Sequence, residues 1–211
     1  MDRREFIGAL SAGLISRGES EAKNTPPTLE QQERIQEVKD FGVTGEKLPL
    51  FVKTAIKGLP KQYELDTYQV VFINDYDKFL DKNALVKDLG SREAQIRKLL
   101  KLREAEVVNG KFPIYINGES QTIQQLIKDP HGLEVLKSFL IHERTHAVQT
   151  ELPHSEVYKL QYEYLGEQFK KGKLPIKYQG VLEKIKQKMQ HYAAIEKREK
   201  GENQQVASNR L

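Results

Sequence analysis

The chain has no cysteine and no tryptophan in 211 residues. The lack of cysteine excludes disulfides, a thiol nucleophile and thiolate-type structural zinc, so a metal would have to be held by histidine and carboxylate. Long apolar runs are also missing. The stretch 6–15 is too short to cross a bilayer, and no stable membrane span is expected in the mature chain. No run of basic residues sits within an aromatic-rich strand. The net charge of +4 is mild and spread through polar stretches, which reads as solvated surface rather than a nucleic-acid footprint. Internal repeats are absent, and the length suits one domain with a real core.

What is present is concentrated at His142-Glu143-Arg144-Thr145-His146, an HExxH string preceded by the apolar positions Leu133, Leu136, Phe139 and Leu140. On a helix, residues four apart share a face, so His142 and His146 can reach one metal ion. Glu143 lies at the rim of that face, where it can take a proton from a water that the metal activates. Arg144 and Thr145 point to the sides of the helix. The competing reading is a chance match on a charged amphipathic helix.

The chain opens Met1-Asp2-Arg3-Arg4-Glu5-Phe6, followed by a weakly apolar segment bearing Gly, Ala and Ser. This resembles a twin-arginine export signal, with Ser20-Glu21-Ala22 as a small-x-small cleavage site. It implies a signal peptide over 1–22 and an exported protein, in the periplasm or outside the cell. An amphipathic N-terminal helix and a cytoplasmic location form the alternative. Residues 23–27 read as a linker, 28–200 as a single domain and 201–211 as a disordered tail.

Within that domain, helix is expected over 28–38 with Thr28 as cap, then an apolar segment over 48–56 closed by Gly58 and Pro60. Residues 68–73, rich in β-branched and aromatic side chains, read as a strand, central in a small sheet. Residues 91–100 read as a helix capped by Ser91. Asn109-Gly110 between 105–108 and 111–116 is a hairpin signal, because a type I′ turn needs positive φ at both central residues. Pro113 lacks an N–H, which assigns its strand to an edge or a bulge. A short helix follows over 121–128, then the motif helix. A further helix, capped by Ser155, runs to about 169, and a last amphipathic helix covers 179–197. Strands followed by helices make the fold class α+β, mostly helical with a small mixed sheet.

Catalytic zinc commonly takes three protein ligands and keeps a position for water. The helix after the motif offers Glu156, Glu163 and Glu167. The segment 139–165 resembles the two-helix core of the gluzincins, HExxH metallopeptidases with a downstream glutamate. Glu156-Val157-Tyr158-Lys159-Leu160-Gln161 fits the opening of their second helix, and Gln149 matches a common feature of such sequences. The resemblance implies a zincin-like domain with Glu156 as the third ligand. Glu163, followed by Glu167, is the runner-up. The metzincin pattern fails, since Gln149 and Leu152 stand where it needs glycine and histidine. His131, His154 and His191 read as surface residues, and Tyr158 and Tyr162 as packing or as candidates for stabilising an oxyanion.

The resulting expectation is a zinc metallopeptidase with one Zn2+ per chain, held by His142, His146 and Glu156, with Glu143 as general base and a peptide or protein as substrate. By resemblance, the edge strand 112–116 would lie above the motif helix as a substrate platform. The alternative is a non-catalytic zinc-binding protein of the cell envelope. Iron, manganese and cobalt accept the same donors.

Overall fold

In a computed structural model, residues 26–83, 85–86 and 89–208 are described. The twin-arginine-like segment 1–22, most of the 23–27 linker and the last residues of the tail lie outside them.

Four short strands form one mixed sheet: β1 (Gly42–Thr44), β2 (Val70–Ile73), β3 (Ala105–Val107) and β4 (Ile114–Asn117). Their spatial order is β1-β2-β4-β3, with β2 and β4 parallel and both outer pairs antiparallel. All four residues of β2 are buried because helices cover both faces of the sheet. Val70 and Phe72, with Ile114 and Ile116 of β4, face one core; Val71 and Ile73, with Tyr115, face the other. The second core is closed by α1 (Leu29–Val38) and α3 (Tyr76–Lys82), and by Ile96 and Leu100 of α4 (Glu93–Leu100). The first and larger core lies under α2 (Leu50–Lys57), α5 (Gln121–Lys128), α6 (Gly132–Val148), α7 (His154–Lys170) and α8 (Gln179–Ser208). The domain is thus α+β and mostly helical, and none of its described helices is long and apolar enough to cross a membrane.

Thr28 caps α1 through a full capping box, and β2 is internal, both as the sequence implies. Asn109 and Gly110 both have positive φ, 55° and 64°, and Lys111 N–H closes the turn onto Val108 O. Several expectations are corrected. The strand after Pro113 is not an edge: β4 sits between β2 and β3. Pro113 precedes the first ladder residue, Ile114, so its missing N–H leaves no gap in the sheet. The edges are β1 and β3, and the free edge of β3 is the one beside the motif helix. Ser91 lies within a 3₁₀ turn and Arg92 occupies the cap of α4 without a side-chain bond. Pro153, not Ser155, precedes the first turn of α7, which begins at His154. Residues 201–208 continue α8 where a disordered tail was expected. The helix formers around Gly201 offset the roughly 1 kcal/mol that one glycine costs.

Gly132 sets the α5–α6 junction. A Cβ there would stand 2.1 Å from the Leu126 carbonyl oxygen, a backbone atom that cannot turn away. Gly132→Ala should therefore lower unfolding stability by about 2–3 kcal/mol, read from denaturant midpoints.

Candidate metal-binding cleft

The motif helix α6 is anchored by Val135, Leu136, Leu140 and Ile141, all buried in the core. That anchoring fixes which way its last turns face. His142 and His146 point into a cleft of about 1000 Å³. Its walls are β3 and the β3–β4 turn, the α5 end, α7 and the first half of α8.

The two imidazoles meet through their Nε2 atoms, 3.2 Å apart. Two nitrogens at about 2.0–2.1 Å from one tetrahedral zinc stand roughly 3.3–3.4 Å apart. The pair therefore fits a shared ion with almost no rearrangement. His142 is only 8% exposed, and burial holds its pKa down to about 3, helped by His146 and Lys188 nearby. Burial, with His154 beside it, also lowers His146. Both rings are thus neutral, the form that binds metal. His142 Nδ1 is buried without a hydrogen bond of acceptable geometry. Gln161 lies close enough to favour the charged ring slightly, while its amide nitrogen donates to Ser138 Oγ at 3.3 Å. A ring nitrogen of this kind ordinarily has a partner at a metal site, and Gln161 is the side chain placed to supply one.

Glu143 turns the other way along the cleft, toward β3. Burial raises its carboxyl to about 8, and the negative charge of Glu106 adds to this. Arg103 and a hydrogen bond from the Val107 N–H pull in the opposite direction. The free edge of β3 thus positions the carboxylate of the motif. Glu106 is itself held beneath that edge by the Tyr76 hydroxyl and by Arg103, the latter at 3.1 Å. Arg144 donates to Glu64 O at 3.1 Å and Thr145 to Ile141 O at 2.7 Å, so both serve the surroundings of the helix.

Neither glutamate expected as third ligand reaches the histidines. Glu156 is on the outer side of α7, its side chain 50% exposed and paired with Lys159 at 3.1 Å. It borders a separate, shallow depression with Ser155, Ala193 and Glu196. Glu163 is exposed near Tyr63 and Arg144. The residues that α7 presents to the motif are His154, Tyr158 and Gln161. The Tyr158 ring lies 4.5 Å from His142, and the His154 ring 4.6 Å from His146, between centroids. His131 binds Lys173 O at 3.0 Å and His191 lies edge-on to Tyr192; neither lines the cleft. Among the described residues no three His, Asp or Glu side chains already converge on one point.

The sequence reading missed the contribution of α8. Val181, Lys184, Ile185, Lys188 and Tyr192 recur at three- and four-residue spacing and line the cleft. Lys188 Nζ sits 5.5 Å above the Tyr158 ring, and Tyr192 stacks on both His154 and Tyr158. That periodicity was visible in the sequence; the partner it faces was not.

No family model, curated protein or solved structure matches the chain.

Proposed function

We propose that the protein is a zinc-dependent metallopeptidase in which His142 and His146 hold the metal and Glu143 is the general base. The observation that carries this reading is the facing pair of neutral imidazoles, Nε2 to Nε2 3.2 Å, on the wall of a cleft that also contains Glu143. Zinc, when bound, lowers the pKa of its water and polarises a scissile carbonyl.

The chain's own groups supply the rest. Glu143 accepts a proton on its carboxylate and delivers it to the leaving amine. A carboxyl raised toward neutrality by burial suits both halves of that transfer. Glu143 lies close to the Val107 N–H, which places the proposed base beside the free edge of β3. An extended peptide would pair with the rest of that edge and continue between the α5 end and α8. Lys184 and Lys188 give the far wall a positive charge that favours substrates with acidic or free carboxylate groups. The twin-arginine-like residues Arg3, Arg4 and Phe6 support export of the folded, metal-loaded protein.

Elemental mass spectrometry of the purified full chain tests the reading. About one zinc per chain is expected, and His146→Ala should abolish it. No zinc, with none taken up on addition at neutral pH, would overturn the proposal. Zinc binding without any cleavage dependent on Glu143 would favour the non-catalytic zinc-binding reading instead.

A further inference from the structure

We infer that His154 completes the metal-binding set with His142 and His146, in the role the sequence assigns to Glu156. The inference rests on the proposed metal pair and concerns which side chain supplies the third donor.

Position is the first argument. His154 opens α7 directly opposite the last turn of α6, and its ring packs against His146 with centroids 4.6 Å apart. The rings of His142 and His146 are 4.8 Å apart. Two imidazoles on one tetrahedral ion have centroids roughly 5 Å apart, from the metal–nitrogen length plus the ring radius. The three rings therefore form a continuous row with His146 in the middle, and a common ion requires His154 to close toward His142 as well. Binding a common ion requires His154 to turn so that a nitrogen meets the Nε2 pair, and among the described residues no hydrogen bond of its ring opposes that turn.

Support from the surroundings is the second argument. Pro153 fixes the backbone entering α7. The next residue, Ser155, is tied to Glu196 of α8 through its backbone N–H at 3.1 Å and through its hydroxyl. The outer face of the His154 ring is covered by Tyr192, stacked at 4.9 Å and 20°. A tied helix start and a covered ring face limit where a donor at this position can go, which favours metal affinity.

Elimination is the third. The other carboxylates lining the cleft are mostly engaged. Glu106 is bound to Tyr76 and Arg103, and Asp129 to Lys177 and to the His131 N–H. Glu104 is the remaining rival.

The test is zinc affinity, measured on the full chain by competition with a chromophoric chelator, together with the visible spectrum of the cobalt-substituted protein. His154→Ala should weaken zinc roughly a hundredfold or more and alter the cobalt bands. Glu156→Ala and Glu104→Ala should stay within about threefold of wild type. Because His154 is exposed, its variants keep the apo fold, checked by thermal melting, and His154→Gln provides a second variant of similar size. If wild type binds one zinc and both His154 variants match it in affinity and spectrum, the inference is overturned while the proposed function stands. The same follows if Glu104→Ala or Glu156→Ala loses the metal instead. A wild type that binds no zinc overturns both.

Discussion

Glu143→Gln should keep its zinc and lose about 10³-fold in kcat against a mixed peptide pool, with KM little changed. The amide has the shape of the carboxylate and still offers an oxygen to the Val107 N–H, so the β3 edge and the cleft wall stay in place. What disappears is the group that carries the proton. A second consequence separates this from misfolding. Burial and Glu106 hold the Glu143 carboxyl up at about 8, so at neutral pH it is already largely uncharged, and the neutral amide should leave the variant about as stable as wild type. A Glu143→Gln protein with wild-type turnover would show that hydrolysis, if present, does not use this carboxylate. The assay is initial rate against substrate concentration, with metal content measured on the same samples.

The largest expected loss of stability lies one turn and a half before the motif. Lys137 and Glu134 pair at 2.9 Å on the buried side of α6, with side chains only 9% and 12% exposed. Glu134 also accepts from the Tyr164 hydroxyl of α7 at 2.6 Å. Burial alone would raise the Glu134 carboxyl. The Tyr164 and Lys137 bonds outweigh it, and the net shift is downward. Lys137→Met leaves that carboxylate buried without its cation and should cost about 3 kcal/mol of unfolding free energy. Changing Glu134 to Gln in the same chain should recover most of it, because the uncompensated charge is gone. The pH dependence follows in sign. A carboxyl depressed in the folded state contributes fully above its unfolded pKa, and the contribution fades as pH falls through the folded value. Wild type should therefore lose stability on acidification below about 4.5, and Lys137→Met should show a shallower decline over the same window. Denaturant midpoints at neutral and acid pH measure both effects.

Some of this was legible in the chain and some was not. The motif helix announces itself by spacing, α5 by its residues 121–128, and the turn after β3 by Asn109-Gly110, because each depends on local preferences alone. The register of α7 was misread for a physical reason. Its buried stripe is Val157, Gln161, Leu165 and Gln168. Two of those four are polar, so the apolar period that usually marks the inner face is broken. Glu156, two residues from His154, lies roughly 200° around the helix from it. A small error in where the helix meets its neighbour therefore exchanges one candidate ligand for another. Pro113 misled in a similar way: a missing N–H marks an edge only if the proline falls inside the ladder, and here it falls one residue short. The cleft wall from α8 lay beyond local reading, since nothing near residues 181–192 says that they pack against a motif forty residues earlier.

That wall also sets the order in which the site can come into being. The motif histidines belong to α6, but the His154 ring is covered by Tyr192, the start of α7 is tied to Glu196 through Ser155, and one wall of the cleft is built by Val181, Lys184, Ile185, Lys188 and Tyr192, all of α8. During synthesis α6 and α7 emerge first, and elements that emerge earlier fold earlier. Until α8 has docked, the row of imidazoles is open on one side, with no stacked ring behind it and no positive wall facing it. A nascent chain therefore carries the recognisable motif without a finished cleft. On the proposed function, metal capture would be coupled to the docking of one late helix.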